Sequence, residues 1–186
     1  MAARGVCYFT GRGGTRETGL GAYLAERYGL FGGLNLSHEW LSQPHEDQLA
    51  ILSAQLSEAE AAGVPVIANS YGAYLTLLAL FDRPPLNTSV LLLSPVLGKT
   101  FLRGTYIRPP GGRRFAAAIT SPAPKPAWLG LVMGAEDPGY VAETWDKLVT
   151  ALRPDHHALL PGQGHSLEKG TVAGLVEAFM ERMGEP

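Results

Sequence analysis

Val64-Pro65-Val66-Ile67-Ala68-Asn69-Ser70-Tyr71-Gly72-Ala73-Tyr74-Leu75-Thr76-Leu77-Leu78-Ala79-Leu80-Phe81 is the stretch on which the fold turns. Its opening, Val64–Ala68, is a short run with no polar alternation, the pattern of a strand covered on both faces. Asn69 and Ser70 break the run. Tyr71–Phe81 is then apolar almost all round, which predicts a helix buried on most sides. Gly63 and the Arg83-Pro84-Pro85 turn stand where helices should stop.

The same alternation extends in both directions. Apolar runs at Val6–Phe9, Leu34–Leu36, Val90–Leu93, Leu129–Met133 and Ala158–Leu160 predict five further strands. Between them, Leu20/Tyr23/Leu24/Tyr28, Leu49/Leu52/Leu56/Ala59, Val141/Trp145/Leu148/Val149/Leu152 and Val172/Leu175/Val176/Phe179/Met180/Met183 recur at helical spacing. Strand–helix alternation of this kind implies an α/β fold with a mostly parallel sheet. Residues 95–126 resist the scheme, being rich in proline and glycine, with one short helix expected at Phe115–Ile119. A connection that long reads as a lid or insert, or as a missed element.

Composition sets the bounds. With 186 residues, 46% of them hydrophobic and 17% charged, the chain reads as one domain, residues 1–186. A chain of this length buries roughly 70% of its extended surface and needs no metal or disulfide to fold. The single cysteine, Cys7, excludes an internal disulfide framework and any CxxC motif. A net charge of −2 gives no general reason to bind nucleic acid. No apolar run reaches the roughly 18 residues of a membrane span, and the start is too short in apolar residues for a signal-peptide core. The expectation is a cytoplasmic protein.

In open α/β sheets ligands bind beyond the carboxyl ends of the strands. The polar residues that follow the runs are Thr10–Gly14, Asn69-Ser70, Ser94, Glu136-Asp137 and Gly162–His165. A serine, a carboxylate and a histidine thus fall on one edge, in that order. A serine hydroxyl is a poor nucleophile until a histidine accepts its proton, and an acid must orient that histidine. Ser70 sits on a strand-to-helix turn between the small residues Ala68 and Gly72. With nine serines and 23 glycines, about one Ser-x-Gly arises by chance, so context carries the assignment. A plain helix N-cap is the other reading of Ser70.

Five histidines compete for the base. His38 and His45 read as surface features of the second connection, and His156 and His157 open the last strand at its wrong edge. His165 alone follows a carboxyl end behind flexible glycines. For the acid, Asp137 is the first choice, with Glu136 as a substitute and helix capping as the alternative role of Asp137.

These residues resemble a family. Ala68-Asn69-Ser70-Tyr71-Gly72, Gly134-Ala135-Glu136-Asp137 and Gly162-Gln163-Gly164-His165-Ser166 look like the nucleophile elbow, acid turn and histidine loop of the α/β-hydrolases. Phe9-Thr10-Gly11-Arg12-Gly13-Gly14 resembles the segment that lines their oxyanion hole. The resemblance implies a three-layer α/β/α sandwich with a six-stranded sheet of order 2-1-3-4-5-6, lacking two antiparallel strands of larger members, as in compact bacterial esterase-like ones. It also implies a catalytic Ser70–His165–Asp137 set and an oxyanion hole of the Tyr71 and Arg12 backbone N–H groups. The substrate would be a carboxylic ester or thioester, cleaved with no metal or organic cofactor. Two departures stand out: Ala68 replaces the first elbow glycine, and Thr10 replaces a histidine that supports the oxyanion loop.

Charge is uneven. Arg83, Lys99, Arg103, Arg108, Arg113, Arg114 and Lys125 fall in a segment with no acid. They form either a basic lid favouring an anionic acyl substrate or a solvated face paired with acids elsewhere. The Arg12 side chain has the same two readings, solvent or anion. A dinucleotide site is disfavoured, because Arg16 takes the place of the third fingerprint glycine and Asn35-Leu36-Ser37 supplies no ribose acid. A catalytically silent hydrolase-like domain that binds a partner is the remaining alternative.

Overall fold

A computed structural model describes residues 5–98, 100–102 and 105–184. Among the described residues, eight strands and seven helices follow in chain order. They are β1 (Val6–Phe9), α1 (Gly19–Arg27), β2 (Leu30–Leu34), α2 (His38–Leu41), α3 (His45–Ala61), β3 (Val66–Asn69), α4 (Tyr71–Phe81) and β4 (Ser89–Leu93), then β5 (Thr100–Leu102), β6 (Thr105–Ile107), α5 (Gly112–Ala118), β7 (Trp128–Gly134), α6 (Ala142–Leu152), β8 (His156–Leu160) and α7 (Lys169–Gly184). The main sheet has six strands in the order β2-β1-β3-β4-β7-β8, every adjacent pair parallel. Counting only those six, this is the expected 2-1-3-4-5-6.

Continuous apolar runs are explained by the two cores. Cys7, Phe9, Val66, Ala68, Leu92, Leu131 and Met133 point to one face, where they meet α3, α4 and α6 through residues such as Leu52, Leu77 and Leu148. Val6, Tyr8, Ile67, Leu91, Leu93 and Val132 point to the other, against Leu24 of α1 and Val176 and Phe179 of α7. The residues at the centre of β1, β3, β4 and β7 are therefore apolar whichever way they face. Helix α4 is central to the first core, and ten of its residues, Tyr71 to Leu80, are buried.

Two expectations are corrected. The second strand is Leu30–Leu34, not Leu34–Leu36. Its centre is Gly32-Gly33, which hides it from any apolar pattern. Gly33 has φ +125, and a Cβ there would lie 1.9 Å from the Tyr8 carbonyl oxygen, so the close approach of β1 admits only glycine. Leu36 is still buried, but beyond the strand's end.

The stretch 95–126 also contains more structure than expected. It holds the antiparallel pair β5–β6 as well as α5. Helix α5 docks on α4, with the Phe115 ring 5.6 Å from that of Tyr74 and the Tyr74 hydroxyl donating to the Pro110 carbonyl at 2.7 Å. Among the described residues, no helix is long and apolar enough to cross a membrane.

Candidate active site

The carboxyl edge of the sheet gathers the polar residues. Ser70 sits between β3 and α4 with φ 52 and ψ −114, a conformation that a non-glycine residue adopts only at a cost of about 1–3 kcal/mol. Its hydroxyl does not cap α4. Instead Oγ lies 2.7 Å from Nε2 of His165. Nδ1 of the same ring lies 2.7 Å from Oδ2 of Asp137, whose side chain is fully buried. The second Asp137 oxygen accepts the Gly139 amide at 2.7 Å. A carboxylate so placed holds the proton on Nδ1 and leaves Nε2 free to accept from the serine.

The other candidate residues are placed differently. Helix α6 begins at Ala142 with Val141 before it, so Asp137 caps nothing there. Glu136 is exposed and makes no side-chain hydrogen bond among the described residues. Ser94 is buried at the end of β4 with φ 44, and its hydroxyl has no partner among the described residues. His156 and His157 begin β8, at the opposite edge from the site. His45 departs from expectation. Both its ring nitrogens are buried without a partner among the described residues, and burial pushes its pKa down.

Glycines set the distances between these groups. A Cβ on Gly72 would lie 2.4 Å from the Thr10 carbonyl oxygen, so the start of α4 is pressed against the end of β1. The constraint at this position thus comes from the neighbouring strand. A Cβ on Gly11 would lie 3.1 Å from Cβ of Ser70, which brings the β1–α1 turn against the serine. A Cβ on Gly134 would lie 2.2 Å from the Gln163 carbonyl oxygen and 2.3 Å from that of Gly164, so the acid turn and the histidine loop touch backbone to backbone.

Thr10 stands where the resemblance expects a histidine. Its buried hydroxyl accepts the Leu36 amide at 2.9 Å and points its proton at the carbonyls of Gly11, 3.1 Å away, and Gly14, 3.2 Å away. The Gly13 amide donates to the Leu36 carbonyl at 2.7 Å. The turn is therefore tied to the chain after β2. Among the described residues, the Arg12 and Tyr71 amides donate to no protein acceptor. The Tyr71 amide also opens α4, where the helix dipole is positive.

Gln163 is a residue that sequence reasoning passed over. Its carbonyl accepts the Glu136 amide at 3.0 Å, its Nε2 donates to Thr171 at 2.8 Å, and its Oε1 accepts the Glu168 amide at 2.9 Å. It ties the histidine loop to both the acid turn and α7. The contacts are long-range or lie within an irregular loop, so no periodicity announces them.

Ser70 and His165 open into a cleft of about 1390 Å³ between the β1–α1 turn, α1 and the start of α7. His38 lines it too. Three of the seven cations of the basic segment are engaged elsewhere. Arg83 pairs with Glu60 at 2.7 Å, Lys125 with Asp155 at 2.8 Å, and Arg114 with Asp82 and Glu46. Arg108 lines the cleft, while Lys99 and Arg103 lie outside the described residues.

Comparison with solved structures decides the architecture. Alpha/beta hydrolase domain-containing protein 10 from mouse superposes with a TM-score of 0.70 at 10% identity, covering 96% of this chain and 90% of that one. The chain has the α/β-hydrolase fold. A structure from the work on LipS and LipT, two metagenome-derived lipolytic enzymes, gives 0.66 at 15% identity, with 97% and 95% covered. The dienelactone hydrolase of Anabaena variabilis gives 0.58 at 18% identity, with 96% and 85% covered. No family model and no curated protein matches the sequence. Within the α/β-hydrolase fold, the sheet here consists of six parallel strands, and the turns that carry Ser70, Asp137 and His165 share its carboxyl edge.

Proposed function

We propose that this protein is a serine hydrolase that cleaves a carboxylic ester or thioester through an acyl-enzyme on Ser70. The observation that carries the reading is the unbroken chain of two 2.7 Å hydrogen bonds from Ser70 through His165 to the buried Asp137. Ser70 Oγ attacks the carbonyl carbon while its proton passes to Nε2 of His165, and Asp137 stabilises the imidazolium. The carbonyl oxygen becomes an oxyanion held by the Tyr71 and Arg12 amides, each donor contributing a few kcal/mol, about a hundredfold in rate. Collapse of the intermediate expels the alcohol or thiol, which takes the proton from His165. Water, deprotonated by the same ring, then attacks the acyl carbon and releases the acid and Ser70.

The strained backbone at Ser70 supports the same reading, since such strain persists where a functional position requires it. So do the hydrolases among the solved structures of this fold. A cytoplasmic site of action belongs to the proposal; the lone Cys7 is buried and its pKa is pushed up to about 12 by burial, which keeps it an inert thiol. The test is labelling by a fluorophosphonate probe. Wild type should label, and Ser70→Ala and His165→Ala should not, with circular dichroism unchanged. Absence of labelling on folded wild type would overturn the proposal in favour of a silent binding domain.

A further inference from the structure

The cleft that holds Ser70 has an uneven chemistry. Three basic side chains line it, Arg12, Arg108 and Lys169, and among the described residues no carboxylate does. The whole chain, by contrast, is slightly acidic at −2. None of the three cations makes an ion pair among the described residues. Lys169 is the first residue of α7, where the helix dipole disfavours a cation, and the first turn of that helix has no acid. Leu20 and Tyr23 of α1 and Val172 of α7 add an apolar wall to the cleft.

We infer that the substrate is an amphipathic ester or thioester that carries an oxyanionic group, a carboxylate or a phosphate, in addition to its scissile carbonyl. Arg12, Arg108 and Lys169 receive the anion, and the α1–α7 wall receives the apolar chain. This inference rests on the serine-hydrolase reading of the same cleft. Cations left without partners in a recess concentrate an anion there and give it the counter-charge it loses on leaving water. Arginine adds paired donors that match a planar carboxylate or a phosphate.

The experiment compares p-nitrophenyl hemiglutarate with p-nitrophenyl pentanoate, two esters of equal chain length that differ by one terminal charge. Wild type should prefer the anionic ester by about tenfold in kcat/KM, equivalent to about 1.4 kcal/mol. Arg108→Gln/Lys169→Gln should reduce that ratio to about one, and raised salt should narrow it in wild type. A wild-type ratio at or below one, with fluorophosphonate labelling of Ser70 intact, would overturn the anion inference and leave the hydrolase reading standing. Absence of labelling would overturn both. Protection of Ser70 from the probe by pentyl phosphate but not by hexanoate assigns phosphate esters, and the reverse assigns carboxylates. Protection by neither, at concentrations where neutral pentyl acetate protects, would again refute the inference.

Discussion

Gly134→Ala tests how the acid and the base are held together. A Cβ at this position would lie 2.2 Å from the Gln163 carbonyl oxygen and 2.3 Å from that of Gly164, both backbone atoms, where about 3.0 Å is the closest real approach. Relieving the clash takes a recoil of about 0.8 Å by the loop that carries His165. Gly134 belongs to the same turn as Asp137, so the recoil separates the two partners. Their 2.7 Å hydrogen bond then stretches to about 3.5 Å, the outer limit of such a bond. A misplacement of about 1 Å costs about a hundredfold, and losing the acid's hold on the imidazole costs about ten-thousandfold in a serine protease. Esterase kcat/KM on a p-nitrophenyl ester should therefore fall between those bounds, while overpacking costs about 1–3 kcal/mol in urea denaturation. Gly164→Ala is the internal control. A Cβ there meets nothing closer than the Glu136 carbonyl oxygen at 3.9 Å, so its activity should stay within about threefold of wild type. A Gly134→Ala enzyme with near-native kcat/KM would refute the idea that this backbone contact sets the catalytic distance.

Other consequences are as specific. Thr10→Val keeps the shape but leaves the buried Leu36 amide without its acceptor, so it should cost about 1–3 kcal/mol by urea denaturation and slow probe labelling of Ser70. Ser70→Gly should abolish activity yet raise stability by about 1 kcal/mol in thermal unfolding, because glycine accepts φ 52 without strain; an unchanged or lower midpoint would count against a strained elbow. Burial pushes the Asp155 carboxyl up, but Lys125 and the Leu129 amide outweigh it and hold its pKa below the usual value. The stability it supplies is full above an unfolded pKa of about 4 and is lost as pH falls through the lower folded value. Asp155→Asn should thus be less stable than wild type at neutral pH by about 1 kcal/mol, with the gap closing in acid; a gap that stays constant down to pH 2 would contradict this.

What the sequence reveals and what it hides follow from the range of each interaction. Tyr71–Phe81 was legible to the residue because burial all round leaves no polar face to confuse the pattern. Leu30–Leu34 was not, since its pairing with β1 depends on the absence of side chains at Gly32 and Gly33, and a missing side chain leaves no hydrophobic signature. The β5–β6 pair is hidden for a related reason: strands of three residues are shorter than the run of about four over which alternation can be read.

The candidate site obeyed the same division. Ser70, Asp137 and His165 could be picked out because parallel topology delivers every β-to-α turn to one edge, so chain order alone narrows the candidates. The contacts that fix their spacing were illegible. Gly72 against Thr10, Gly134 against Gln163 and Thr10 against Leu36 join residues 62, 29 and 26 positions apart, and each has on one side a backbone atom that every residue shares. The basic segment shows the limit from the other side. Clustering in sequence leaves seven cations with two readings; Arg83, Arg114 and Lys125 are paired with acids, while Arg12 and Lys169, 157 residues apart, share the cleft with Arg108. Charge acts through space, so a site's electrostatics belong to the turns that converge on it. In this fold those turns come from opposite ends of the chain, and a preference for an anion would arise from that convergence.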